Sequence, residues 1–174
     1  MNVPVSNFTR PHADALPLKE AMRRLIGGVV VVTAGIGEER TGLTATSAVS
    51  LSMDPPTMLV TVNRTSSSYP VIARRRHFCV NILHADQADI AARFAGAGGA
   101  KGPARYDGAD WMPMGSGALG LVGALAVIDC EVEEIIERHS HAILLGAVRD
   151  VQGDTGDGTG LVYGHGRFGS LNLL

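Results

Sequence analysis

An excess of charge of either sign is missing from this chain. Its 15 Lys and Arg face 17 Asp and Glu, for a net charge of −2, and the longest like-charge block is the arginine triplet at 74–76. A counterion-release footprint on nucleic acid is excluded on that basis. Long hydrophobic runs are missing too. The best, residues 121–128, is less than half of the roughly 18 apolar residues that a bilayer span needs. The opening MNVPVSNFTRPHADALP is polar and broken by three prolines, which does not fit a secretion signal. The expectation is a soluble, cytoplasmic protein with no membrane or nucleic-acid partner, a flexible segment over residues 1–15 and one domain over 16–174. Cysteine is nearly absent: Cys79 and Cys130 sit in strand-like runs without CxxC spacing, which disfavours a zinc knuckle or disulfide framework and leaves buried free thiols. No GxxxxGK[ST] and no GxSxG occurs, so a P-loop and a hydrolase elbow are both ruled out.

Glycine, by contrast, is abundant at 22 of 174 residues, about twice the ordinary share of about 7%. Two segments satisfy GxGxxG, beginning at Gly115 and Gly164. At this glycine content such matches arise by chance, and neither follows a strand and opens a helix as a dinucleotide fingerprint must.

Periodicity gives the organisation. Residues 16–26 place Leu18, Met22, Leu25 and Ile26 on one helical face, predicting a helix that buries that face and stops at Gly27-Gly28. Strands are expected over 29–33, 42–52 and 57–62 as an antiparallel meander, then over 78–83. Short helices fit 67–75, with a serine N-cap, and 87–94. Residues 96–110, GAGGAKGPARYDGAD, read as a long mobile surface loop. Two long strands over 124–137 and 141–151 form a hairpin, and a short strand near 161–163 ends the pattern. Strands outnumber helices and arrive as hairpins, so the fold class is mainly β, a barrel with a few peripheral α-helices.

Two segments carry candidate chemistry. GLTATSAVSLSMDPP at 42–56 has small side chains over much of one face, so a flat ring could lie against its backbone N–H and C=O groups. Its bland reading is a Ser/Thr-rich edge strand. NRTSSSY at 63–69 joins a strand end to a helix start and offers amides, hydroxyls and one guanidinium, the makings of a phosphate site; its bland reading is a well-capped helix with an exposed arginine. His139 and His141 form an HxH pair, but the following AILLGAV supplies no carboxylate, so no metal is expected. The acidic residues Glu131, Glu133 and Glu134 read as surface charges.

Taken in order, AMRRLIGGVVVVTA, GLTATSAVSLSMDPP, TVNRTSSSYPVI, FCVNIL, DQADIAARFAG, GALAVIDCEVEE, HAILLGAV and LVYGHGRF resemble the flavin reductase-like domain family, over about residues 18–171. The resemblance implies an FMN-binding split β-barrel, a homodimer with flavin near its interface, and reduction of FMN or FAD by NADH or NADPH. Thr44, Ala45, Thr46 and Ser47 would meet the isoalloxazine edge, largely through backbone. Asn63, Arg64, Ser67, Ser68 and Tyr69 would hold the ribityl chain and phosphate. Phe94, Tyr163, Arg167 and Phe168 fall in matching segments and join the cofactor-binding set, with core packing the rival explanation for Phe94. His141 aligns with the nicotinamide-side histidine and is the catalytic candidate, although the preceding Arg138-His139-Ser140 departs from the GDH often found there. Phe168 stands where a tyrosine is common. The implied partner is a flavin-dependent monooxygenase that receives reduced flavin. The alternatives are a flavin-binding redox module without turnover and a reductase of another acceptor, such as a corrinoid.

Overall fold

The structure, a computed structural model, describes residues 14–153 and 158–171. In chain order it contains α1 (Ala15–Met22), β1 (Gly27–Gly28), β2 (Val30–Ala34), β3 (Thr41–Ala45), β4 (Ala48–Met53), β5 (Pro56–Asn63), α2 (Tyr69–Arg75), β6 (His77–Ile82) and α3 (Ala88–Phe94). Two 3-10 turns, Ala97–Gly99 and Gly102–Tyr106, lead to β7 (Trp111–Pro113), β8 (Leu119–Leu121), β9 (Ala126–Arg138), β10 (His141–Gly153), β11 (Leu161–Gly164) and β12 (Arg167–Ser170). Most of the flexible segment expected over 1–15 lies outside the described residues; Ala15 is already helical.

Seven strands form one antiparallel sheet in the order β3-β2-β6-β9-β10-β5-β4, and β1-β11-β12 form a small second sheet. The mainly β class is as expected. β2 shows why the sheet is the centre of the molecule. All five of its residues are buried, with Val31 facing one apolar cluster and Val30 and Val32 facing the other. A strand covered on both faces loses the apolar–polar alternation of a half-exposed one and reads as a continuous apolar run. On one side Phe94, Leu83, Leu121 and Tyr106 pack; on the other, Phe78, Ile72, Val60 and Leu144.

The expected strand over 42–52 is in fact two. β3 pairs with β2 while β4 pairs with β5, so the chain turns a corner at Thr46-Ser47 and the two strands end on opposite edges of the sheet. The meander therefore holds for β2–β3 and for β4–β5 but not between them. The uniform small residues across the corner hid it from periodicity.

The first helix also differs from expectation. α1 stops at Met22 and buries no residue; Leu18 remains 63% exposed and Leu25 64%. Gly27-Gly28 are not its terminators but pair with β11. Ser68 flanks α2 without a side-chain cap bond, because its hydroxyl is used elsewhere. β12 was not foreseen.

The 96–110 segment is not loose. Tyr106 is buried, its hydroxyl donates to the Thr41 carbonyl at 2.6 Å, and the Trp111 indole donates to the Tyr106 carbonyl at 2.9 Å. Phe94, Tyr106 and Trp111 form a cluster with ring centroids 4.8 to 5.5 Å apart. Both glycine motifs lie off any helix start: one spans the β7–β8 connection, the other the β11–β12 hairpin.

Candidate functional site

β3 is an edge strand, so alternate N–H and C=O groups along it point away from the sheet. At residues 41 and 42 these groups are consumed: Tyr106 holds the Thr41 carbonyl, and Ser68 and Arg105 both donate to the Gly42 carbonyl. From Thr44 to Thr46 the strand instead faces a cavity of about 550 Å³. Its floor comes from Val29, Ala92, Ala95 and Ala97, and its far wall from Tyr163, Gly166, Arg167 and Phe168. The Tyr163 and Phe168 rings pack edge to face across the β11–β12 hairpin, centroids 5.3 Å apart at 64°. A mostly apolar cavity with strand backbone along one wall suits a planar heteroaromatic ring.

Six residues singled out from the sequence therefore meet in one cavity: Thr44, Ala45, Thr46, Tyr163, Arg167 and Phe168. The Thr44 hydroxyl is turned away, donating to the Ala91 carbonyl at 2.6 Å, so this strand offers backbone rather than that side chain. Ser47 lies just past the cavity, where its hydroxyl meets that of Thr61 at 2.7 Å. β5 then runs two residues on to Asn63, about 7 Å at strand rise.

A second, polar group gathers there. His141 is the register partner of Asn63 and is exposed, with Nδ1 2.8 Å from the Ser140 hydroxyl. The Asn63 side-chain oxygen accepts from the Thr65 amide and hydroxyl, both at 2.9 Å. Arg64 forms an ion pair with Glu137 at 2.8 Å and donates to the His139 carbonyl at 3.2 Å. The Tyr69 hydroxyl donates to the other Glu137 oxygen at 2.5 Å, and that bond is the main cause holding the phenol above its ordinary pKa. Ser67 is exposed beside them.

Two sequence candidates lie in the interior instead. Ser68 is fully buried, its hydroxyl held between Thr41 and the Gly42 carbonyl, and Phe94 is 2% exposed within the aromatic cluster. Their work is to hold β3. The turn also keeps fewer free amides than its sequence suggests: those of Thr65, Ser66 and Tyr69 are bonded within it. Reasoning from sequence missed Glu137, the alanines of α3 and Gly166. The alanines carried a signal, a run of small residues on a helix; Glu137 depends on cross-strand register and carried none.

Residues 22–172 match the model of a family described as flavin reductase like domain. This chain belongs to that family. Among curated relatives, this flavin reductase-like chain is 39% identical over 160 residues to the actinorhodin polyketide dimerase of Streptomyces coelicolor, covering 91% of this chain and 88% of that one. It is 41% identical to FMN reductase (NADH) RutF 2 of Methylorubrum extorquens, covering 78% and 77%. It is 31% identical to HsaB, the reductase subunit of a flavin-dependent monooxygenase of Mycobacterium tuberculosis, covering 79% and 72%. Among solved structures, the Streptomyces globisporus NADH:FAD oxidoreductase SgcE6, in complex with NAD and FAD fragments, superposes with a TM-score of 0.82 at 30% identity, covering 91% of this chain and 93% of that one.

Proposed function

We propose that this chain is an NAD(P)H:flavin oxidoreductase that reduces FMN or FAD and passes the reduced flavin to a separate monooxygenase component. The observation that carries the reading is the ring-sized cavity between the open edge of β3 and the Tyr163–Phe168 wall. When bound, the flavin supplies the acceptor for a hydride delivered by the nicotinamide. The chain's own part is alignment. Thr44 to Thr46 fix one ring edge through main-chain groups, and Phe168 and Tyr163 close the opposite side. Asn63, two residues past the Thr61 that bonds Ser47 at the corner, and Arg64, Ser67 and Tyr69 of the turn that follows lie where a phosphate tail leaving the cavity would run. His141, beside Asn63, orients the nicotinamide. No nucleophile or carboxylate dyad is needed for direct hydride transfer, which matches what the sequence lacks.

The protein acts as a homodimer with a split-barrel protomer. Leu18, Met22, Leu25 and Ile26 of the α1 region, and Val49, Leu51 and Met53 of β4, are apolar and half or more exposed among the described residues. The α1 surface adjoins the cavity wall: the His165 amide donates to the Arg23 carbonyl at 2.7 Å, and Ile26 packs against Gly164. A second copy covering α1 would also shelter the flavin. No described helix is long and apolar enough to cross a membrane, and two buried free thiols suit a reducing cytoplasm.

The test is nucleotide oxidation by the purified protein with NADH or NADPH and FMN, FAD or riboflavin as acceptor. Steady turnover with at least one pair is expected; none with any pair overturns the reductase reading. Flavin that stays bound and oxidised in the presence of both nucleotides identifies a redox module without turnover. Faster reduction of a corrinoid than of any flavin identifies the other acceptor class.

A further inference from the structure

We propose that Glu137 is a built-in competitor for the flavin phosphate, occupying the Arg64 and Tyr69 donors that would otherwise bind it and so keeping FMN exchangeable. The inference rests on the phosphate-turn reading given above.

The arrangement follows from sheet register. β9 and β5 lie on either side of β10, and the small, buried Ala142 is the partner of Glu137 on one side and of Val62 on the other. Across that small residue the Glu137 carboxylate meets side chains from the β5–α2 turn. One oxygen takes the Arg64 guanidinium at 2.8 Å and the other takes the Tyr69 hydroxyl at 2.5 Å. The second Arg64 amino group donates to the His139 carbonyl, so the guanidinium fork is split between hairpin and carboxylate. The Arg64 and Tyr69 side-chain donors of the turn are therefore already facing acceptors.

A phosphate entering here brings more negative charge and more acceptor oxygens than the carboxylate it displaces. The pair it must open is weak, since Arg64 is 41% exposed and Glu137 47%. Displacement is feasible, but the bound phosphate gains less than it would at an unpaired arginine. Riboflavin, which carries no phosphate, never meets the competition. When FMN leaves, Glu137 recloses on Arg64, which favours release over retention. A reductase that hands reduced flavin to another protein benefits from such exchange.

The experiment measures dissociation constants of FMN and riboflavin, and the release rate of FMN, for the full-length wild type, Glu137→Gln and Arg64→Ala. Glu137→Gln keeps an acceptor for Tyr69 and removes the charge. It is expected to tighten FMN about three- to fivefold and slow its release, with riboflavin unchanged. Glu137→Asp, which retracts the charge by one methylene, should give a smaller gain. The FMN gain should shrink in high salt. If Arg64→Ala weakens FMN selectively but Glu137→Gln leaves FMN binding unchanged or weaker, the competitor role is overturned and the phosphate turn stands. If Arg64→Ala weakens FMN and riboflavin equally, the phosphate turn itself is refuted, and the competitor role with it.

Discussion

The Thr61 hydroxyl donates to the Ser47 hydroxyl at 2.7 Å, and the Thr61 amide donates to the Ser47 carbonyl at 3.2 Å. This stitch sits where β3 and β4 part to opposite edges of the sheet, so it fixes the angle at which the cavity-facing strand leaves the corner. Thr61→Val keeps the shape and removes the hydroxyl. It is expected to cost about 1 kcal/mol, read from the denaturant midpoint, while Thr61→Ser stays near wild type. A loss in Thr61→Ser with Thr61→Val near wild type would show that the methyl group, not the hydroxyl, matters here.

Gly42 has no room for a side chain. A Cβ there would lie 2.6 Å from the Phe94 ring and 2.7 Å from the Val32 carbonyl oxygen. Gly42→Ala is therefore expected to destabilise by about 2 kcal/mol, lowering the melting temperature by about 4–8 °C in a chain of this size. Trimming the ring with Phe94→Leu should restore only part of the loss, because the backbone oxygen remains.

His77 is 8% exposed, and its Nε2 has no hydrogen-bond partner among the described residues. Burial lowers its pKa below the ordinary 6.5, helped by the Arg75 charge and opposed by the nearby Asp129 charge and by a hydrogen bond to the Arg75 backbone. Below that ordinary value the unfolded chain binds a proton that the folded chain does not, so stability falls as pH drops from about 7 toward the folded-state pKa. Melting temperatures measured from pH 7 to 5 should fall more steeply in the wild type than in His77→Leu. Parallel curves would remove His77 as the cause.

Leu51 is 54% exposed at the register shift in the middle of edge strand β4, flanked along the strand by exposed Val49 and Met53. If that strand is covered by a second copy, Leu51→Glu places two charges in the interface and should yield monomers in sedimentation, with weaker flavin turnover. A wild-type chain that already sediments as a monomer would refute the dimer.

The strands were largely legible because their apolar residues alternate or run continuously, as in VVVTA of β2. What could not be read depended on partners far along the chain. Nothing in LTATSAVSL marks a corner at Thr46-Ser47, since β-forming small residues continue straight through it. The α1 stripe was legible as a face, yet among the described residues Leu18, Met22 and Leu25 of that face stay exposed. Ser68 and Phe94 looked like ligands because their segments match the family, but their hydroxyl and ring are spent on Thr41 and Gly42. Glu137 was one acidic residue among several on β9; only the register across Ala142 brings it to Arg64.

Thr44 separates recognition by backbone from recognition by side chain. Its hydroxyl ties β3 to α3 through the Ala91 carbonyl and does not face the cavity that its main chain lines. Thr44→Val should cost about 1 kcal/mol of stability, the worth of that one bond; the Ala91 carbonyl keeps its helical donor, the Ala95 amide at 3.0 Å. The flavin-edge contacts belong to the strand itself, so FMN affinity in the folded variant should stay within about twofold of wild type, less than about 0.5 kcal/mol. Thr44→Pro acts in the opposite sense: it removes the amide at 44 and with it a main-chain donor. A tenfold loss of FMN affinity in Thr44→Val, with stability unchanged, would mean that the hydroxyl turns to the ring on binding and that the strand backbone is not the reader.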